Sequence, residues 1–455
     1  MFKKLVSIPN IKIISWLVML VCSFTNAQEL SLKAAHDLML NRNGEVKASF
    51  FEVKAMEEEN KATKGLRLPT IGISGTYLRL EEDIAVDLNA QRDMVGGLLQ
   101  IPNAAAVLGD WNMTLQEKTL GFATVDVSMP LFAGGKINAA NKASEIKLNV
   151  TENHHQIKED QLTINLIMYY FKLKLAKEAK DLREEVYKTV LLHNNKANKF
   201  FENGLIAEVE TLNAKVALSK AYRELLGAKK DVSLATTAVK NLIGVDSLES
   251  VSTSFAIPTI VKPLNEFQDE MLLNNKQLKI IEQNHELAKV GVKVENGDYF
   301  PKVGVFGKYV FWKDNLPLVD TKWFVGIGAQ WELFNGFQRE HKIKASKFKV
   351  SQVEEINKQA RLNLMTYTEK LYNTMQKELE QYESLNSDEI FAEKLKFMRT
   401  RSFEEGTGTS LEVVDATLKL TEIKLHKIKA LYEYNVAYGE LMVLIGETEL
   451  FLNQN

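Results

Sequence analysis

The chain has 455 residues, of which 45% are hydrophobic and 25% charged, with 57 Lys and Arg against 59 Asp and Glu. This balance excludes wholesale disorder, collagen and a polytopic helical membrane protein, and it gives no basic surface for nucleic acid. The single cysteine, Cys22, rules out a disulfide framework within one chain.

Lys3, Lys4 and Lys12 lead into the apolar run from Ile13 to Val21, followed by Ser23-Phe24-Thr25-Asn26-Ala27. A basic start, a short apolar stretch and small residues at Thr25 and Ala27 read as a secretory signal peptide over residues 1–27, cut after Ala27. Val21 before Cys22 argues against a lipoprotein signal, and the run is shorter than the ~20 residues of a membrane anchor. The mature chain then begins near Gln28, without thiol or transmembrane helix.

The first strand pattern falls at about 70–80, where Ile71 and Ile73 alternate with Gly72 and Ser74. Between Tyr77 and Val125 lies a polar, turn-rich stretch with Glu81-Glu82-Asp83, Gly96-Gly97, Pro102 and Gly109-Asp110, which reads as a long surface loop. A second strand covers about 120–132: Ala123, Val125, Val127, Met129 and Leu131 alternate with Thr124, Asp126, Ser128 and Pro130. Each strand thus has one apolar and one polar face.

From Ile137 to Glu202 there is neither proline nor glycine, and Val150, Ile157, Ile164 and Phe171 recur every seventh residue beside Met168, Leu175 and Leu182. That spacing indicates coiled-coil packing, over a helix about 100 Å long at ~1.5 Å per residue. Gly204 then begins a turn into a return helix that ends near Leu242-Ile243-Gly244, giving an antiparallel hairpin over 137–243. Residues 247–265, with Pro258 and Pro263, form a linker.

The remainder, 266–455, repeats the plan of 28–246. Leu131-Phe132-Ala133-Gly134 is matched by Leu333-Phe334-Asn335-Gly336, Phe201-Glu202-Asn203-Gly204 by Phe403-Glu404-Glu405-Gly406, and Leu242-Ile243-Gly244 by Leu444-Ile445-Gly446, all at one offset. Upstream, Pro69, Gly72, Gly75 and Tyr77 match Pro301, Gly304, Gly307 and Tyr309 at a larger offset. The surplus of about 30 residues therefore lies in the first copy's loop, against a short one around Asp314-Asn315-Leu316-Pro317. Each copy reads as a helix, two strands and a hairpin of two long helices.

The second copy's strands fall at about 302–312 and 323–334. Val303, Val305, Tyr309 and Phe311 form one apolar face; Trp323, Val325, Ile327, Ala329, Trp331 and Leu333 form the other. Trp323 and Trp331, eight residues apart, span roughly 26 Å at ~3.3 Å per residue, close to the apolar band between the aromatic girdles of an outer-membrane barrel. A second helical hairpin covers 338–446, with Leu411, Leu418, Leu425 and Tyr432 seven apart beside Val414 and Ile428.

Alternation alone equally suits a soluble sheet over a core. The tryptophan spacing and ten-residue segments favour strands in lipid. Four strands cannot close a barrel, so membranous strands require oligomerisation, with eight strands from two copies or twelve from three.

Leu30-Ser31-Leu32 with Ala34-Ala35, the junctions Pro130-Leu131-Phe132-Ala133-Gly134-Gly135 and Leu333-Phe334-Asn335-Gly336, Gly204-Leu205 with Glu210, Gly406-Thr407 with Glu412-Val413-Val414-Asp415-Ala416-Thr417, and the paired Leu-Ile-Gly endings together resemble the TolC-like outer-membrane efflux protein family over essentially the whole mature chain. The resemblance implies a mixed α and β membrane protein. Its long antiparallel coiled-coil helices and four strands per chain would complete, as a homotrimer, a 12-stranded barrel and a helical tunnel. It implies passive export through the outer membrane, with a periplasmic adaptor and an inner-membrane transporter as partners. It also implies an adaptor-binding tip at Gly204, Leu205, Glu210, Gly406 and Thr407, and a constriction at Glu412 and Asp415, where well-known members carry aspartates. Glu412 and Asp415, three apart, share a helix face, with Leu411, Val414 and Leu418 expected on the packing face. The first copy has Glu210 and Asn213 at the matching positions.

Two other classes stand beside this reading: a periplasmic coiled-coil adaptor or structural protein, and an enzyme. The seven histidines lack HExxH or other zinc spacing, and His154-His155 read as solvated. Gly326 and Gly328 suit a lumen-facing strand better than a nucleotide loop, because Trp331 stands where the third glycine belongs. No cofactor, metal site or nucleic-acid module is expected.

Overall fold

A computed structural model describes residues 30–256, 262–315 and 321–454. The signal-peptide reading, Pro258 and Leu316-Pro317 lie outside the described residues. Contacts divide the chain into two units, one holding the described residues up to Glu52, Glu152–Ile280 and the chain from Asn357 onward, the other Val53–Thr151 and Ile281–Ile356.

The first unit is helical. It contains α1 (Leu32–Arg42) and the start of α2 (Gly44–Lys64), most of α5 (Lys136–Glu202), α6 (Glu208–Ile243), α7 (Leu264–Asn274), the first residues of α8 (Lys276–Asn296), most of α9 (Gln338–Glu404), α10 (Ser410–Leu444) and α11 (Thr448–Gln454). Its largest core gathers Leu166, Ile167, Tyr170 and Phe171 of α5 with Met39 of α1, Ile243 of α6, Met271 of α7, Leu441 of α10 and Phe451 of α11. Of the heptad series on α5 only Phe171 is fully buried, and the others are half-buried. Several helices surround α5 here, so its buried face widens beyond a two-stranded seam.

The duplication is visible in a pair of joints. Asn43 ends α1, donates from Nδ2 to the Leu242 carbonyl at 2.9 Å, and accepts the Glu45 N–H at 2.8 Å. Asn275 ends α7, donates to the Leu444 carbonyl at 3.3 Å, and accepts the Gln277 N–H at 3.0 Å. Each asparagine thus satisfies an orphan carbonyl of one helix and an orphan amide of the next. Gly244 and Gly446 follow the two carbonyl-bearing helices with positive φ, the left-handed ending that glycine adopts without strain.

The segment after α6 is tied down: Leu30 pairs with Val251 in parallel, and the Thr253 N–H donates to the Tyr170 hydroxyl at 2.9 Å. Among the described residues no helix is long and apolar enough to cross a membrane.

The second unit carries the strands β1 (Thr70–Arg79), β4 (Thr119–Ala133), β5 (Lys302–Asp314) and β6 (Trp323–Gln330), which form an antiparallel sheet in the order β1-β4-β5-β6. The expected loop between β1 and β4 is itself folded: β2 (Ile84–Asp87) pairs with β3 (Asn112–Gln116) around the short helices α3 (Asn89–Leu98) and α4 (Ala104–Leu108). There Arg92 is buried, donating to the Gly109 carbonyl at 3.0 Å and to Asp93 at 2.8 Å. The turn-rich composition concealed these elements, each at most ten residues long.

The last strand is shorter than the expected 323–334. β6 stops at Gln330, opposite Lys302, the first residue of β5. Pro301 precedes Lys302 and has no N–H to extend the ladder, so Trp331 lies beyond the pairing. Its Nε1–H donates to the Tyr299 carbonyl at 3.0 Å instead.

Candidate functional site

Two regions contain the residues singled out above, the turns between the long helices and the sheet. At the first turn Gly204 has φ +72°, and the Leu205 N–H returns to the Phe200 carbonyl at 2.8 Å. At the second Gly406 has φ +75°, and the Thr407 N–H returns to the Ser402 carbonyl at 2.9 Å. Both glycines occupy backbone space that a β-carbon disfavours. Gly204, Leu205, Gly406 and Thr407 are exposed.

Glu210 is partly buried and faces the other repeat. It is the third residue of α6, and the residue capping that helix is Ala207, which has no side-chain acceptor. Its carboxylate accepts the Ser410 N–H at the start of α10, at 2.7 Å. Lys196 pairs with Glu404 at 2.8 Å nearby, and Phe200 stacks on Phe403 with centroids 5.6 Å apart.

Glu412 and Asp415 differ in environment. Glu412 completes a capping box with Thr409, accepting its N–H at 3.1 Å, and pairs with Arg399 at 2.8 Å. Asp415 is exposed and has no hydrogen-bond or ion-pair partner among the described residues. The packing face is the expected one in part: Val414 is buried and Leu418 packs half-buried beside it, but Leu411 is not on it. Ser410, Val413, Val414 and Thr417 are buried, at the i, i+3, i+4, i+7 spacing of one face, whereas Leu411 is 50% exposed.

The histidine pair is also corrected. His155 hydrogen-bonds Ser49 through Nδ1 at 2.7 Å and is largely covered, because α2 packs there; His154 is exposed. Among the described residues no group of three or more His, Cys, Asp or Glu side chains is placed to hold a metal ion.

In the sheet, the register aligns Ile73, Val125, Tyr309 and Trp323 in one row and Ile71, Val127, Gly307 and Val325 in the next. This apolar face is most open on the outer strands, where Trp323, Val325, Ile71 and Ile73 are 66–76% exposed, and less so on the inner ones, where Tyr309 is 47% and Val127 37% exposed. Two bulges shift the alternation, so Trp312 rather than Phe311 pairs with Ala123, and Phe132 rather than Leu131 pairs with Val303. An extra residue moves everything beyond it to the other face. Trp312 and Tyr77 meet over Gly121, where an added β-carbon would come within 2.6 Å and 2.8 Å of their rings. These aromatics, with Tyr309 and Trp323, gather at one end of the sheet; of the four, the sequence reading assigned only Trp323 to a girdle.

The opposite face is polar. Asp126 accepts from Ser74 and Thr124, each at 2.8 Å, and pairs with Lys308 on the neighbouring strand at 3.1 Å. Phe306 lies on this face over Gly326 and Gly328, where added β-carbons would come within 3.0 Å and 3.1 Å of its ring. The two glycines make room for a neighbouring ring, which their spacing alone does not reveal.

A family model for outer membrane efflux proteins matches residues 35–245 and 268–447, nearly the whole described chain. The chain belongs to the outer membrane efflux protein family. Solved channels share its fold at low sequence identity. The CusC channel matches with a TM-score of 0.75 at 13% identity, over 91% of this chain and 91% of that one. VceC of Vibrio cholerae matches with a TM-score of 0.72 at 14% identity, over 91% of this chain and 96% of that one. The CmeC outer membrane channel of Campylobacter jejuni matches with a TM-score of 0.74 at 14% identity, over 92% and 86%. No curated protein sequence matches. As a family member the chain is an outer-membrane efflux channel protein, and its helices and antiparallel strands are the parts from which such channels are built.

Proposed function

We propose that this efflux family member is the outer-membrane duct of a tripartite export system. Three chains would each contribute four strands to a 12-stranded barrel and four long helices to a tunnel. The observation that carries this reading is the sheet, with its open apolar face and its edge strands β1 and β6, each paired on one side only among the described residues. In lipid the backbone groups of both edges must find partners, and neighbouring copies supply them. The helices offer matching material: Val209, Leu212 and Val216 on α6 are exposed apolar residues along one face.

Export requires removal of a signal peptide, cut after Ala27. Passage is passive, and energy comes from an inner-membrane transporter joined through a periplasmic adaptor. Gly204, Leu205, Gly406 and Thr407 form the surface the adaptor touches, while Glu210 holds the two turns together behind it. Asp415 supplies the constriction's free carboxylate, and Glu412 sets the start of α10 beside it. Like charges gathered from three chains around one axis favour bound cations. Trp323 belongs to the aromatic girdle at one end of the barrel, and Trp331 lies at the junction of strand and helix. The duct performs no catalysis and needs no cofactor.

The test is extraction. Membranes bearing the protein are washed with alkaline carbonate and then with detergent. A lipid-embedded barrel stays until detergent is added; release by carbonate alone would mark the apolar face as covered by protein and leave a periplasmic coiled-coil protein.

A further inference from the structure

The contact between the two repeats includes a titratable group that the duct reading does not use. His193, on α5, places Nε2 2.7 Å from the hydroxyl of Ser410, a fully buried residue that opens α10 and donates its N–H to Glu210. The ring centroid lies 4.7 Å from that of Phe403. Beside it is a cavity of about 290 Å³ bordered by Thr189, Lys196, Lys396, Glu404 and Thr417.

The charged groups around the imidazole come from three helices. Lys196 lies on α5, Glu210 on α6, and Lys396 and Glu404 on α9; α10 presents only the hydroxyls of Ser410 and Thr417. Lys196 is paired with Glu404, and the Lys396 ammonium has no hydrogen-bond or ion-pair partner among the described residues. The start of α10 is the positive end of a helix. A neutral ring fits this place, accepting from or donating to Ser410. A protonated ring adds a positive charge beside Lys196 in a half-buried place, and Glu210, the carboxylate that opposes it, is already committed to Ser410. The adjacent cavity gives the ring room to leave.

We propose that protonation of His193 is a switch that releases α5 from the start of α10 and loosens the two turns at acidic pH. This deepens the duct reading, since the same turns form its proposed entrance. Burial, reinforced by Lys196 and opposed by Glu210, holds the His193 pKa below its ordinary 6.5. A lowered histidine keeps its contact above 6.5 and loses it as pH falls through the folded-state value.

The experiment is hydrogen–deuterium exchange on the detergent-purified trimer, following segments 189–200 and 403–417 from about pH 7.5 to about pH 5. Wild type is compared with His193→Gln at each pH, so that intrinsic exchange rates cancel. The two proteins should match near neutrality, and at acidic pH wild type should exchange several-fold faster, because the open form takes up the proton that the lowered pKa of the closed form resists. Equal protection throughout would overturn the switch. Glu210→Gln, which keeps an acceptor for Ser410 but removes the charge, should move the transition to lower pH; an unmoved midpoint would count against it, and this holds even where His193→Gln fails to fold. Exchange reads the joint and not the current, so a proton-dependent joint in a protein that passes no ions would retain the switch and remove the duct.

Discussion

The carboxylate of Glu210 and the backbone N–H of Ser410 meet at 2.7 Å, so a residue from the first repeat caps a helix of the second. By the duplication Glu210 corresponds to Glu412, which caps its own helix through Thr409. With Ala207 in place of that threonine, Glu210 has no reciprocal partner at home and is available to the neighbouring helix. Replacing Glu210 with alanine leaves a buried amide without an acceptor, at a local cost of about 1–3 kcal/mol. Faster amide exchange at Ser410, with membrane assembly unchanged, is the expected result.

Asp415→Ala and Glu412→Ala should separate. Loss of Asp415 weakens block by multivalent cations in planar bilayers, because it removes the unpaired carboxylate. Loss of Glu412 instead lowers the melting temperature, by an amount corresponding to about 1 kcal/mol for a broken cap. Block unchanged in the double variant would exclude both residues from the proposed constriction.

Bulk at Gly326 or Gly328 collides with Phe306. Valine at either position should cost about 1–3 kcal/mol, as other overpacked sites do. Phe306→Ala, combined with the valine, should recover part of the loss, measurable as the melting temperature of the detergent-solubilised protein. Without recovery, the ring and the glycines are not coupled.

His36 is buried, with Nε2 3.1 Å from the Thr163 hydroxyl, and burial lowers its pKa below 6.5 despite the opposing charges of Glu449, Asp37 and Glu159. The unfolded chain therefore takes up this proton first as pH falls. The stability it contributes is complete above 6.5 and declines below it. Melting temperatures measured between about pH 7.5 and about pH 5 should fall less steeply in His36→Gln than in wild type; parallel curves would dissociate His36 from the effect.

The long helices and four strands were legible because each rests on a sustained period, and the duplication because Leu-Ile-Gly and Phe-Glu-x-Gly recur at one offset. Details that depend on a neighbour were not. Pro301 ends β6 from the partner strand, and the bulges exchange Phe311 for Trp312 and Leu131 for Phe132 on the apolar face. Leu411 fits a heptad in sequence, yet the first turn of α10 directs Val413 and Val414 inward. Asn43 and Asn275 carried a readable signal, since they match at the upstream offset of Pro69 and Pro301. Their partners, Leu242 and Leu444, match at the other offset, so the joints emerge only when both are laid together. Glu210 was chosen for its place beside a turn, and its contact with Ser410 required the fold.

In the proposed duct, separate chains share one barrel. Native mass measurement of the detergent-extracted protein, on the same preparation that is inserted into planar bilayers, tests it most directly. Three chains per particle with stepwise ion conductance is the predicted result; a single chain that stays soluble without detergent and carries no current would contradict it.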